Sequence, residues 1–207
     1  MPGIATLFCI PLRVPEGVAL TFDDGPHPDG TPEVLGQLER AGAKATFYLV
    51  GEQVERDPSL AAEIAARGHE VGIHGYRHTL LLRRTPSELR DDLDRAGTVI
   101  GEASGVASLS YRPPYGVFSL TGLRLARERW RPLLWSHWGR DWEARATPSS
   151  IAARATRRLG RGAVILLHDS DAYSAPQSWR QTVAALPAVL ESAAATGEPF
   201  VTASQST

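Results

Sequence analysis

Residues 19–30 read ALTFDDGPHPDG, an apolar run that ends in two adjacent aspartates, then a glycine and two prolines. Val18 to Phe22 is β-branched and aromatic, as a short strand is, whereas GPHPDG has the composition of a loop. Asp23 and Asp24 therefore stand at a strand exit. Like charges this close repel unless a cation or an acid–base role holds them, or water screens them in an Asp-Gly turn. Outward from this stretch the same rhythm repeats. Strands are expected at 18–22, 45–50, 69–74, 108–111, 132–136, 163–168 and 200–204. Between them lie helical stretches at 31–42, 57–68, 85–103, 119–130, 147–160 and 178–197. Several open with Thr or Asp followed by Pro, and Thr85 with Glu88 and Asp57 before Pro58 are clear helix starts.

Strands alternating with helices imply a parallel sheet with right-handed crossovers. The sheet could be open and doubly wound, or closed as a barrel. No G-x-G-x-x-G follows the first strand, against dinucleotide binding. Seven strands are one short of a regular eight-stranded barrel. The expected fold is α/β: a distorted or incomplete (β/α) barrel of about seven parallel strands, similar to a TIM barrel.

The 207 residues are 43% hydrophobic and 22% charged, with a net charge of −1. They suit one domain, 1–207, with its core at about 17–204. Near neutrality argues against a nucleic-acid partner, and the arginine runs LLRRTP and ATRRLGRG read as solvated faces. Cys9 is the one cysteine, which excludes an internal disulfide and reads as a buried or loop thiol. MPGIATLFCIPL lacks a basic start and is broken by Pro11, a poor signal peptide and too short for a membrane span. The compartment stays open.

The titratable residues gather at strand ends. Asp23 and Asp24 follow the first strand, His74 ends the third with His78 four residues on, and Arg112 follows the fourth. Asp141 follows the fifth, and His168 with Asp169 ends the sixth. Carboxyl ends of parallel strands are where barrel active sites are built. Two imidazoles in IHGYRH (73–78) plus a carboxylate from another strand end form a three-ligand set of the kind used by catalytic zinc. The same set suits non-haem iron. One aspartate would bind the cation and the other act as base, because a divalent ion lowers the pKa of water towards 7. Arg112, before two prolines, can hold the free carboxylate. His168 could protonate a leaving amine, and Leu166 and Trp142 could wall an acyl methyl group. His27, His69 and His137 read as loop or packing residues, and Trp135, Trp138 and Trp142 crowd one loop suited to sugar stacking or rim packing.

TFDDG (21–25), HGYRH (74–78), RPPYG (112–116), GRDW (139–142) and LLH (166–168) come in this order. Together they resemble the polysaccharide deacetylase family, the NodB homology domain of carbohydrate esterase family four, over roughly residues 17–204. The resemblance implies a distorted (β/α) barrel with Asp23 as general base. It implies Asp24, His74 and His78 as ligands of a divalent metal, usually zinc, with cobalt or nickel as substitutes. Arg112 would orient Asp23, His168 would be the acid, and the backbone amide of Tyr115 would stabilise the oxyanion. Leu166 and Trp142 would line the acetyl pocket. The implied partner is an acetylated glycan, from which an N-acetyl group is hydrolysed, with the protein a monomer, often secreted or in the cell envelope. O-acetyl ester hydrolysis and a catalytically weak carbohydrate-binding protein are the alternatives. Two positions depart from the family pattern: Gly75 replaces a Ser or Thr, and Trp138 replaces an acid, leaving Asp141 or Asp169 to tune His168.

Overall fold

The computed structural model describes residues 9–205, so the first eight residues of the stretch weighed as a signal peptide lie outside the described residues. The strands among them are β1 (Val18–Asp23), β2 (Ala45–Leu49), β3 (Glu70–Ile73), β4 (Ser110–Tyr111), β5 (Arg131–Pro132), β6 (His137–Trp138) and β7 (Ala163–His168). The helices are α1 (Gly30–Arg40), α2 (Gly51–Arg56), α3 (Pro58–Ala66), α4 (Pro86–Ser104), α5 (Leu120–Arg127), α6 (Pro148–Ala155) and α7 (Ser178–Ala194).

All seven strands join one parallel sheet in the order β6-β7-β1-β2-β3-β4-β5. That is the cyclic order of a barrel opened between β5 and β6, so the sheet is a curled, incomplete barrel, as expected. β1, β2 and β7 are buried along their whole length, because helices cover one face and the barrel interior the other. Phe22 and Phe47 stack there with ring centres 5.1 Å apart. The expected helix starts hold. Thr85 and Glu88 form a reciprocal capping box, and the Asp57 carboxylate accepts the Ser59 N–H. Such caps contribute about 1 kcal/mol each.

Three local expectations are corrected. Residues 132–136 are not one strand: Leu133 N–H donates to Tyr111 O and Ser136 N–H to Val164 O, so the stretch crosses the barrel gap from β4 to β7. Its two ends register as β5 and β6, and Asp141 therefore follows β6. Residues 200–204 form only a single parallel bridge, Phe200 to Val18. Helix α2 was not expected, since six residues are too few for an apolar period to show. Cys9 is exposed in a turn. Among the described residues no helix is long and apolar enough to cross a membrane.

Candidate active site

Successive side chains of a strand point to opposite faces, so Asp23 and Asp24 would diverge if β1 ran straight on. Instead Asp24 has φ +74, a left-handed conformation that Asp tolerates better than most residues. The chain turns at that point, and both carboxylates line one cavity of about 330 Å³. The two aspartates are therefore paired by a backbone turn at the barrel mouth, and both are almost wholly buried.

Arg112 sits beneath them, fully buried. Its Nη1 donates to Asp23 Oδ1 and to Thr21 Oγ1, both at 2.7 Å. Nε donates to Leu133 O at 3.1 Å and Nη2 to Leu134 O at 2.9 Å. Both carbonyls belong to the stretch that spans the barrel gap, so the same segment closes the fold and fixes the guanidinium. The Tyr48 ring lies 4.2 Å from the guanidinium carbon, a cation–π contact.

Asp24, His74 and His78 offer ligand atoms that all lie within 4.8 Å of one another. His74 Nε2 is 3.3 Å and His78 Nε2 3.2 Å from Asp24 Oδ1, an oxygen that is buried without a hydrogen-bond partner. Burial opposes a charge on Asp24, yet the two imidazoles outweigh it and hold the carboxyl well below its usual range. His74 Nδ1 lies 2.8 Å from Arg112 O, which turns Nε2 towards Asp24. His78 is held differently. Its Nδ1 is buried with no hydrogen bond, and the ring is clamped between Tyr173, stacked at 4.2 Å, and Tyr115, edge-on at 4.5 Å. An orphaned carboxylate oxygen facing two imidazole nitrogens is a donor set that fits a divalent metal ion.

Gly75, between these ligands, has φ +87, where a Ser or Thr would be strained and its Cβ would meet Arg77 O at 3.2 Å. The loop is braced from α4 instead: Asp92 accepts the N–H groups of Tyr76 at 2.9 Å and Arg77 at 3.2 Å.

Across the cavity, His168 donates from Nδ1 to Asp141 Oδ1 at 2.9 Å, leaving Nε2 towards the site, 3.9 Å from Asp24 Oδ2. Asp141 Oδ2 accepts the His168 N–H at 2.7 Å and the Thr182 hydroxyl at 2.8 Å. Burial alone would lower the pKa of His168, but the Asp141 carboxylate foremost, with Asp24 and Asp23 adding to it, raises it to about 10. Asp141 is thus the residue that tunes His168. Asp169 points elsewhere and accepts the Thr31 hydroxyl, with burial raising its pKa to about 7. Leu166 and His168, two apart on β7, share the inward face, and Leu166 lines the cavity with Trp142. Trp138, 39% exposed, leans on Trp142 at the rim. Tyr115, held at φ 60, forms the opposite lip.

All ten expected site residues therefore lie in or directly against one cavity. Thr21, Asp92, Tyr173 and Thr182 were not expected. Thr21 could have been found, because it shares a strand face with Asp23 two residues on. Thr182 lies on α7 with no local signal. His27 Nδ1 accepts the N–H groups of Asp29 and Gly30, and His69 Nδ1 that of Ala45, so both are structural.

Fold and site together define an incomplete (β/α) barrel with a candidate metal centre between a fixed carboxylate and a fixed imidazole. A family model for polysaccharide deacetylases matches residues 13–129. A peptidoglycan-N-acetylglucosamine deacetylase of Bacillus cereus is 34% identical over 91% of this chain and 86% of its own length. A chitooligosaccharide deacetylase of a Bradyrhizobium species is 37% identical over 73% of this chain and 70% of its own. The crystal structure of a peptidoglycan N-acetylglucosamine deacetylase bound to a naphthalenyl N-oxidanyl-benzamide superposes with a TM-score of 0.84 at 29% identity. That match covers 92% of this chain and 90% of the other. The chain belongs to the polysaccharide deacetylase family.

Proposed function

We propose that this protein hydrolyses N-acetyl groups on the amino sugars of a glycan, using a divalent ion, zinc foremost, held by Asp24, His74 and His78. The observation that carries this reading is the placement of Asp23, fixed by Arg112, and His168, fixed by Asp141, on either side of that ligand set in one cavity. A divalent ion there would polarise an acyl oxygen and lower the pKa of water. Arg112 occupies Asp23 Oδ1 and leaves Oδ2 to take the proton of the attacking water. The backbone N–H of Tyr115, at the cavity lip, supports the developing oxyanion. His168 gives its Nε2 proton to the amine as the C–N bond breaks, releasing acetate and a free amine. Leu166 and Trp142 receive the acetyl methyl.

The test is acetate release from N-acetylglucosamine oligomers by chelator-stripped protein, with and without added zinc. Release that depends on zinc supports the reading. No release with zinc demonstrably bound overturns it, and release confined to O-acetylated glycans shifts the assignment to an esterase.

Asp141→Asn is expected to move the basic limb of the kcat/KM profile down by about 1–3 pH units. The Asp141 carboxylate is the main group that raises the His168 pKa, so without it the imidazolium loses its proton at lower pH. A cation on Asp24 lowers the pKa in both forms, which leaves the sign of the difference unchanged. Profiles of the two proteins that superimpose would remove His168 from the role of acid.

A further inference from the structure

The two imidazoles that face Asp24 are held in unlike ways. His74 Nδ1 is fixed by Arg112 O at 2.8 Å, whereas His78 Nδ1 is buried with no hydrogen-bond partner among the described residues. A metal-bound histidine ordinarily gives its second nitrogen to a carboxylate or carbonyl, which sets the direction of the first. The direction of the His78 ring rests on packing instead. Tyr173 lies nearly parallel to it, with 15° between the planes and 4.2 Å between the centres, and so opposes rotation of the imidazole. Tyr115 meets the same ring at 60° and is itself exposed.

Tyr173 is tethered in turn. Its hydroxyl donates to Glu52 Oε1 at 2.6 Å and accepts from Gln53 Nε2 at 3.0 Å. Gln53 is buried, and its Oε1 accepts from Arg56 Nη1 at 3.0 Å. All three residues belong to α2, which also grips the loop that carries the two histidines. Gly51 N–H donates to Gly75 O at 3.0 Å and Glu52 N–H to Tyr76 O at 2.9 Å. The fit is close, since a Cβ on Gly51 would meet the Tyr76 ring at 2.7 Å. One short helix therefore fixes both the loop of His74 and His78 and the ring that covers His78. The rest of the Tyr173 loop is tied down by Ala175 N–H to Trp142 O and by Asp171, 3.3 Å from His27 Nε2.

Resting on the metal site of the deacetylase reading, we propose that Tyr173 is a positioning residue for the ion. Its ring, set by Glu52 and Gln53, does for His78 what the Arg112 carbonyl does for His74. It keeps His78 Nε2 directed at Asp24 Oδ1, 3.2 Å away. Ring and hydroxyl have separate parts in this. The ring supplies the face that stacks on the imidazole, and the hydroxyl fixes where that face lies. Glu52 and Tyr173 are 121 positions apart, so the pairing exists only in the folded chain.

The experiment uses the full-length chain stripped with a chelator. Competition with a chromogenic chelator gives the zinc dissociation constant, and the visible spectrum of the cobalt-loaded protein reports the ligand geometry. Tyr173→Ala is expected to weaken zinc binding by about 10–100-fold, the range for losing a group that orients a metal ligand, and to alter the cobalt spectrum. Tyr173→Phe keeps the ring without its tether, so its affinity should fall between wild type and Tyr173→Ala. Glu52→Gln still offers an oxygen to the hydroxyl and should bind zinc as the wild type does. Tyr173 is half-buried in a loop, so the metal-free variants should melt close to the wild type. Wild-type zinc affinity and cobalt spectrum in Tyr173→Ala overturn the positioning role, and zinc-dependent acetate release by the wild type then leaves the deacetylase reading standing. Weaker zinc binding with an unaltered cobalt spectrum and a less stable metal-free protein also overturns it, because it marks a part in folding alone. Zinc binding that depends on Tyr173, without acetate release from any glycan, upholds the role and overturns the deacetylase reading. A wild type that takes up no zinc overturns both.

Discussion

Arg112→Met is expected to destabilise the protein by about 3–5 kcal/mol, the cost of leaving a buried charge without its partner. The guanidinium is fully buried and donates to four oxygens: Asp23 Oδ1, Thr21 Oγ1, Leu133 O and Leu134 O. Methionine fills much of the volume but supplies no donor, so a carboxylate and two carbonyls lose their partners at once. For a chain of this size the loss corresponds to a fall in melting temperature of roughly 10 °C or more. Urea or thermal unfolding reads it directly. The Arg112→Met/Asp23→Leu double variant should regain part of the loss, because it removes the orphaned charge as well. A single-variant loss below about 1 kcal/mol would mean that water reaches the pair and that the arginine does not hold the gap-spanning segment in place.

Asp23→Asn is expected to lower acetate release by a factor of about 10²–10⁴ while leaving fold and zinc content unchanged. The amide keeps the shape of the carboxylate and an oxygen for Arg112, but it cannot take a proton at neutral pH. Asp24, His74 and His78 are untouched, so the bound-metal stoichiometry should stay at the wild-type value. Measuring zinc content beside the acetate assay separates loss of the base from loss of the ion. Turnover above about a tenth of wild type would move the base elsewhere, and a variant that also loses zinc would place Asp23 among the ligands.

The two departures from the family pattern have local answers. Gly75 adopts a conformation that disfavours the usual hydroxyl-bearing residue, and Asp92 from α4 braces the loop in its place. Trp138 takes the position of an acid, yet Asp141 reaches His168 by itself with both oxygens engaged. Asp141 was one of the two residues the sequence offered to tune His168, whereas the Asp92 brace and the Thr182 hydroxyl on Asp141 were not visible in sequence. Asp92 lies 14 positions beyond His78 on another element, and Thr182 lies further still.

Most of the barrel was legible because its signals are local. β1, β2 and β7 are continuous apolar runs, buried on both faces, and the Thr-Pro and Asp-Pro starts mark helices by the chemistry of their own first turn. Where the signal is short, the sequence misled. The 132–136 run has strand composition, but hydrogen bonds donated by Leu133 to Tyr111 O and by Ser136 to Val164 O pull it across the gap. Residues 200–204 likewise have strand composition but meet β1 in only one bridge.

The sequence by itself determined the parallel alternation and the strand-end placement of the polar residues that the structure gathers at one cavity, since each depends on periodicity or on neighbours a few positions away. Only the tertiary structure decided how they cooperate. The turn at Asp24 aims both carboxylates into one cavity, Arg112 and Asp141 orient the two groups flanking the ligand set, and two tyrosines from distant loops clamp His78. Those are contacts between residues up to about a hundred positions apart, and burial away from water is what makes each of them strong.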